Sequence, residues 1–557
     1  MSSDGDQSHV ESTRRKVLAA MGGGVSVGLA GCGIFDSESS PSELTVSAGA
    51  NISTFDPTII ADATSASTVG AFCYEYLVDN NFSLTEWQPS LATSWTQVDD
   101  TTFEMQLREG VQFHNGDEMT AEDVRFSVER IRGTVNTAAV DNVDNVEILG
   151  DYQIRVNLTN PRGEGLFLTN FGGVPILPSS VDGLSTTPSE DSFSFQDQSL
   201  GTGPFELDAF QSEDRLEIVP FDDYWYDGDD YPSTPPWERV TFRIIPEQSS
   251  QEEAMQNGEL DMIDNPAPFN LGQWDSIDPE PKIGDAVGFD FVSYPVNQSP
   301  YNNPKLRRGM TKLIPRSDVI QAVFSDFATP LGGPISPGLG TYFDEERNQE
   351  LLDNYVGENR EEALSLIEEA FNEEGIEPPF DLSFITNVNT TRERWMEVIQ
   401  QTFDETELFN AELEVQAFDQ LVPFLVQGEA AESTDIVGIG WTGGSDPNGH
   451  VEQLLASDQH VPAGFNWNLY ENEEVDRLIT EGKQATETEE RIQIYRELET
   501  VLANEVPEAF MWTGDAIQVI QPDSFANPDD WQPYPNASFR YWSIYRPNVG
   551  KVVEPPE

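Results

Sequence analysis

The stretch from Thr102 to Phe126 changes its hydrophobic period partway along, and that change limits what the chain can fold into. Phe103, Met105 and Leu107 alternate with polar residues, the pattern of a half-buried strand. Asn115-Gly116 then supplies a hairpin-type turn. Thr120, with Asp123 at the third helical position, opens a helix through a capping box, and Val124, Val128 and Ile131 recur on one face of it. Strand and helix are therefore interleaved within one short segment. Elsewhere, Leu44 to Ala48 reads as a strand, Phe55-Asp56-Pro57 as a turn and Ser67 to Leu77 as a helix.

The first residues read as processing information. Arg14 and Arg15 precede an apolar, Gly-rich run from Val17 to Ala30, shorter than the ~20 residues that span a bilayer as a helix. This resembles a twin-arginine export signal, the route taken by folded cargo. Leu29-Ala30-Gly31-Cys32 resembles a lipobox, in which Cys32 takes a lipid and becomes the mature N-terminus. Asp36 to Ser42 is small and polar, as in a flexible tether. The chain has 2 cysteines, so lipidation of Cys32 leaves Cys73 unpaired, and its apolar setting suits a buried, inert thiol.

Charge narrows the partners. With 99 Asp+Glu against 29 Lys+Arg the formal net charge is −70, which excludes a general nucleic-acid or anionic-membrane surface. Hydrophobic residues still make up 38%, too many for an acidic disordered chain. A dispersed excess of this size self-repels in dilute buffer and is largely screened at molar salt, where the Debye length falls to about 3 Å. It points to a halophile's protein. Beyond the export-signal run, which holds Gly24-Val25-Ser26-Val27-Gly28, the sequence lacks GxxxxGK[ST], GxSxG, HExxH and CxxC, and its 4 histidines are not spaced as metal ligands, so no cofactor or metal is expected and no catalytic residue can be named. Among 99 acids, adjacent carboxylates carry no information, and an exported hydrolase stays open as an alternative.

Several segments fall in the order of one family. The Pro89 to Phe126 block is followed by Gly201-Thr202-Gly203-Pro204-Phe205, by Asp223-Tyr224-Trp225, by Glu238 to Pro246 and by Gly258-Glu259-Leu260-Asp261. Asn303 to Met310, Gly440-Trp441-Thr442-Gly443-Gly444-Ser445-Asp446-Pro447 and Asn472 to Arg496 complete the series. The chain resembles the family 5 extracellular solute-binding proteins, the oligopeptide, dipeptide and nickel receptors of ABC importers, over about Leu44 to Thr513. That resemblance implies an α/β, two-lobed periplasmic-binding-protein-like fold of type II with an extra inserted domain and a hinge between lobes.

Carried onto this chain, the family plan gives a signal, lipobox and tether at 1–43. Domain I is split over 44–77, 200–291 and 513–557, domain II is an insertion at 78–199, and domain III is 292–512, with hinge crossings near Phe291 and Trp512. The implied protein is a monomeric receptor, held by its lipid to the outer face of the cytoplasmic membrane. It passes a peptide or other small solute to an ABC permease and its ATPase. A nickel chelate or an oligosaccharide is the alternative cargo.

The resemblance also implies where the solute sits. Asp62, Ala63 and Thr64 face it from domain I. The backbone of Gly440, Trp441 and Thr442 pairs with it by strand addition from domain III, with the Trp441 ring stacked over it. In peptide receptors of the family an Asp three residues after this Trp grips the ligand's ammonium. Gly444 stands at that position here. Asp446 is the candidate replacement, with a loop-shaping role as its competitor, and His450 is the first candidate for a nickel-type reading, against an ordinary hydrogen-bonded loop histidine.

Overall fold

The structure, a computed structural model, describes residues 42–60, 62–82, 84, 86–228, 232–274, 279–462, 464–533, 535, 544–546 and 551–556. The export-signal arginines Arg14 and Arg15 and the lipobox Cys32 lie outside the described residues.

Three larger sheets organise the chain. A seven-stranded sheet places the strands in the order Glu280–Gly284, Ala516–Ile520, Met262–Asp264, Glu43–Ala48, Arg239–Ile244, Arg215–Pro220 and Phe205–Gln211. Within it Glu43–Ala48 runs parallel to both its neighbours, and the remaining pairs are antiparallel. A six-stranded sheet orders Ala328–Pro330, Glu508–Gly514, Phe289–Ser293, Ile436–Trp441, Phe380–Asn387 and Phe409–Gln416. The third sheet is four-stranded and antiparallel, and is built from Ala92–Asp99, Thr102–Leu107, Gln153–Leu158 and Val143–Gly150.

The six-stranded sheet is buried on both faces, because alternate residues of its central strands feed different cores. Val292, Ile436 and Met511 join the cluster under the helices Pro304–Leu313, Arg360–Glu374 and Thr390–Asp404. Their neighbours Phe291, Val437 and Phe510 join the cluster with Trp467, Leu478 and Leu498.

The Thr102 to Phe126 block folds as its periods require. Phe103, Met105 and Leu107 are buried along their strand, and Gly116 takes a left-handed φ of 86° in the turn. Helix Ala121–Ile131 starts from Thr120 with the capping box to Asp123 formed. One Asp123 carboxylate oxygen accepts from the Thr120 N–H and hydroxyl, the other from the Ser179 N–H and hydroxyl. Further along, the Arg130 guanidinium is fully buried and binds both Asp56 and Asp191, fastening this helix to the Phe55-Asp56-Pro57 turn.

The helix expected over Ser67 to Leu77 is displaced. Helical structure runs through Ala63–Ser65, the π-helical Ala66–Gly70 and Ala71–Cys73, and Tyr74 is already extended. The cause is the Gly201-Thr202-Gly203 segment. The Gly203 N–H donates to the Cys73 carbonyl, which a continuing helix would need for the N–H four residues on. A Cβ on Gly201 would fall 1.8 Å from that carbonyl oxygen, and one on Gly203 2.5 Å from the Phe72 oxygen. These glycines are there for close backbone approach. Cys73 is buried and unpaired, and burial pushes its thiol up to about 12.

The chain passes between the seven- and six-stranded sheets through two short connections. One is Asp285 to Gly288, between the strands Glu280–Gly284 and Phe289–Ser293, and the other is the single residue Asp515, between Glu508–Gly514 and Ala516–Ile520. Phe291 and Trp512, near which the crossings are expected, lie a few residues inside strands of the six-stranded sheet, where pairing to both neighbours holds Phe291 in place.

Candidate functional site

A cleft of about 670 Å³ opens where these two connections run. On one side stand the C-terminal end of strand Glu43–Ala48 and the helical residues Thr64, Ser67 and Thr68. Facing them are Gly440, Trp441 and Thr442, and Asn389 to Arg392 from the start of helix Thr390–Asp404. Asp290 and Asp515 line it near the connections.

Gly440 and Trp441 pair through Asp290 and Phe289 on one edge of their strand. On the other edge, pairing with strand Phe380–Asn387 ends at Val437, so among the described residues no strand covers that side of Gly440 to Thr442. An extended ligand could continue the sheet there. The Trp441 ring is half-buried, donates its indole N–H to the Gly449 carbonyl at 2.8 Å and meets Phe465 edge-on at 5.3 Å.

Arg392 is the residue the sequence did not single out, and it is the sole Lys or Arg among the described residues lining the cleft. It sits in the first turn of helix Thr390–Asp404, whose N-cap Asn389 accepts the Arg392 N–H at 2.9 Å. Its guanidinium binds the Asn387 side chain and lies 3.5 Å from Asp290, whose other oxygen takes the Trp512 indole N–H at 3.2 Å. Burial pushes the Asp290 carboxyl up, while the Arg392 charge draws it back. A Cβ on Gly440 would lie 2.6 Å from the guanidinium and 2.9 Å from Asp290, so glycine is needed for this grouping. A basic residue in the first turn opposes the helix dipole. The same arrangement recurs at Arg360 after the Asn359 cap and at Lys305 after the Asn303 cap, so what sets Arg392 apart is its place in the cleft.

Other expected site residues are engaged elsewhere. Asp62 accepts from the Ser53 hydroxyl and the Ser65 N–H, a local turn role, whereas Thr64 lines the cleft; Ala63 begins the helical run. Gly444 is left-handed at φ 76°, and its carbonyl bonds His450 at 2.8 Å.

Two expectations need correction. Asp446 is not a free carboxylate. It is 4% exposed, caps the Pro447–His450 turn through the Asn448 N–H, and holds Arg491 through two bonds of 2.7 and 2.8 Å. Its oxygens serve Arg491 and the turn and it is not among the residues that line this cleft, which favours the loop-shaping role. His450 is fully buried, packs against Phe289, bonds the Gly444 carbonyl and is pushed down to about 4 by burial; it is a hydrogen-bonded loop residue behind the cleft lining and not part of it. Among the described residues no group of His, Cys, Asp or Glu is arranged to hold a metal ion, and no helix is long and apolar enough to cross a membrane.

A second cavity, about 540 Å³, lies against the other face of the same π-helical turn and is lined by Ala66, Gly70, Arg162 and Gly449 among others.

Two sheet-centred lobes with a cleft at their connections define a periplasmic-binding-protein-like fold. The match to known proteins is specific: residues 86–460 fit the family described as bacterial extracellular solute-binding proteins, family 5. The chain belongs to this family, and family members serve ABC importers. It is 24% identical over 489 residues to the heme-binding protein A of Haemophilus influenzae, covering 81% of this chain and 84% of that one. It is 22% identical over 478 residues to the glutathione-binding protein GsiB of Shigella flexneri, covering 84% and 88%. The ABC transporter-associated periplasmic binding protein DppA from Helicobacter pylori, solved with the peptide STSA, superposes with a TM-score of 0.74 at 21% identity, over 89% of this chain and 97% of that one.

Proposed function

We propose that this solute-binding protein captures short peptides with a free C-terminal carboxylate and delivers them to an ABC permease. The observation that carries this reading is Arg392. Among the described residues it is the sole cation of the cleft lining, it sits at a helix N-terminus, and it lies beside the uncovered strand edge at Gly440 to Thr442. A guanidinium and a helix N-terminus together favour a carboxylate. An open strand edge binds peptide backbone with little regard to side chains. Because residues of both lobes line the cleft, a ligand that fills it favours the closed form, which the permease would recognise. No step requires covalent chemistry.

Thermal unfolding at molar salt tests the solute class with short peptides, oligosaccharides and nickel chelates. Peptides are expected to raise the midpoint in proportion to the logarithm of their concentration. Stabilisation by sugars or chelates and not by peptides would overturn the reading.

The receptor is held at the cell surface by a lipid on Cys32, after twin-arginine export directed by Arg14 and Arg15, and its acidic surface is adapted to high salt. The support is the order of these residues in the sequence and the net charge of −70. Cys32→Ser should move the protein from the membrane fraction to the medium, and unchanged retention would count against the lipid anchor.

A further inference from the structure

The loop that should grip a peptide's ammonium offers no acid, with Gly444 left-handed and Asp446 committed to Arg491. A zwitterionic solute still needs a partner for its positive end, since an ammonium taken out of water unpaired is costly. Three carboxylates line the cleft: Asp264, Asp290 and Asp515. Asp290 is held by Arg392 and Trp512, and Asp264 accepts the Gln518 amide at 2.8 Å. Asp515 differs. Its N–H donates to the Phe327 carbonyl, which fixes the backbone, but its half-buried carboxylate has no hydrogen-bond or ion-pair partner among the described residues.

A second feature sets Asp515 apart. It is the single residue between strands Glu508–Gly514 and Ala516–Ile520, and the other connection, which runs antiparallel to it, carries Asp285. Like charges on the two connections make the local field more negative, and among the described residues no cation pairs with the Asp515 carboxylate. Burial, joined by Asp285, pushes the Asp515 carboxyl up to about 6. An arriving cation would reverse both effects.

Building on the peptide reading, we infer that Asp515 binds the α-ammonium of the solute, while Arg392 binds its carboxylate. The cleft then selects zwitterionic peptides by both ends, and the amine-binding acid has moved from the Trp441 loop to the connection between the lobes. The bond is charge-assisted and formed away from bulk water, so it is worth about 1.5–3 kcal/mol, or roughly ten- to a hundredfold in affinity.

Calorimetry at molar salt decides the matter, using tri- and tetra-alanine and their N-acetylated forms on the wild type and on Asp515→Asn. Acetylation should weaken wild-type binding by roughly ten- to a hundredfold, and Asp515→Asn should weaken the free peptides by a similar factor and the acetylated ones little. Asp515→Asn relieves a repulsion and should fold; urea unfolding checks this, with Asp515→Ser as the second variant. Indifference of the wild type to acetylation, or equal losses for both peptide forms in the variants, overturns the Asp515 assignment and leaves the peptide reading standing. If neither peptide form binds the wild type, the peptide reading falls and the assignment with it.

Discussion

Arg392→Gln is expected to cost a carboxylate-ended peptide roughly ten- to a hundredfold in affinity, the worth of about 1.5–3 kcal/mol for a charge-assisted bond removed from a partly buried site. The same peptide with an amidated C-terminus should bind the wild type weakly and the variant almost equally weakly. It is this lost discrimination, more than the lost affinity, that identifies Arg392 as the carboxylate partner. The variant also leaves Asp290 without its cation, 3.5 Å away in the wild type, so unfolding must be measured alongside. A loss of affinity equal for acid and amide would mean that Arg392 only holds Asp290 and Asn387 in place.

Asp446→Ala should give the largest loss of stability of any single change discussed. Arg491 is 3% exposed and donates to Asp446, to the Gly482 carbonyl and to the Tyr342 hydroxyl. Removing the carboxylate strands a buried guanidinium, at a cost of about 3–5 kcal/mol. Replacing both partners, as Asp446→Leu with Arg491→Met, should cost less than the single change, because no charge is left unpaired. Urea unfolding of the three variants measures this. If Asp446→Ala instead unfolds like the wild type and loses only peptide affinity, the loop-shaping role is wrong.

Much of the fold could be read from the sequence where local rules agree with one another. In the Thr102 to Phe126 block, period, turn and cap all point the same way, and the structure forms each element. The helix near Cys73 was misplaced because its end is set by Gly203, which lies far along the chain and takes the Cys73 carbonyl. No local pattern around Ser67 to Leu77 carries that information. The site was legible in its backbone part, since Gly440 to Thr442 and Thr64 do line the cleft. Its charged part was not. Acids are too frequent for any one of them to stand out, and only the distance to Arg491 shows that Asp446 is taken. Arg392 shares its place after an Asn cap with Arg360 and Lys305, so only the fold, which brings it to the cleft, sets it apart.

The single-residue connection at Asp515 has a mechanical consequence. Strands Glu508–Gly514 and Ala516–Ile520 follow one another with a single residue between them, each clamped in a different sheet. Relative rotation of the lobes must then pass through a few torsions around that joint and its companion at Asp285 to Gly288. A solute held at the joint acts close to the pivot, where the lever arm is short. A local shift of a fraction of an ångström there swings the far rims of both lobes through a much larger arc. The surfaces that a permease would touch thus report, magnified, on what occupies the cleft floor.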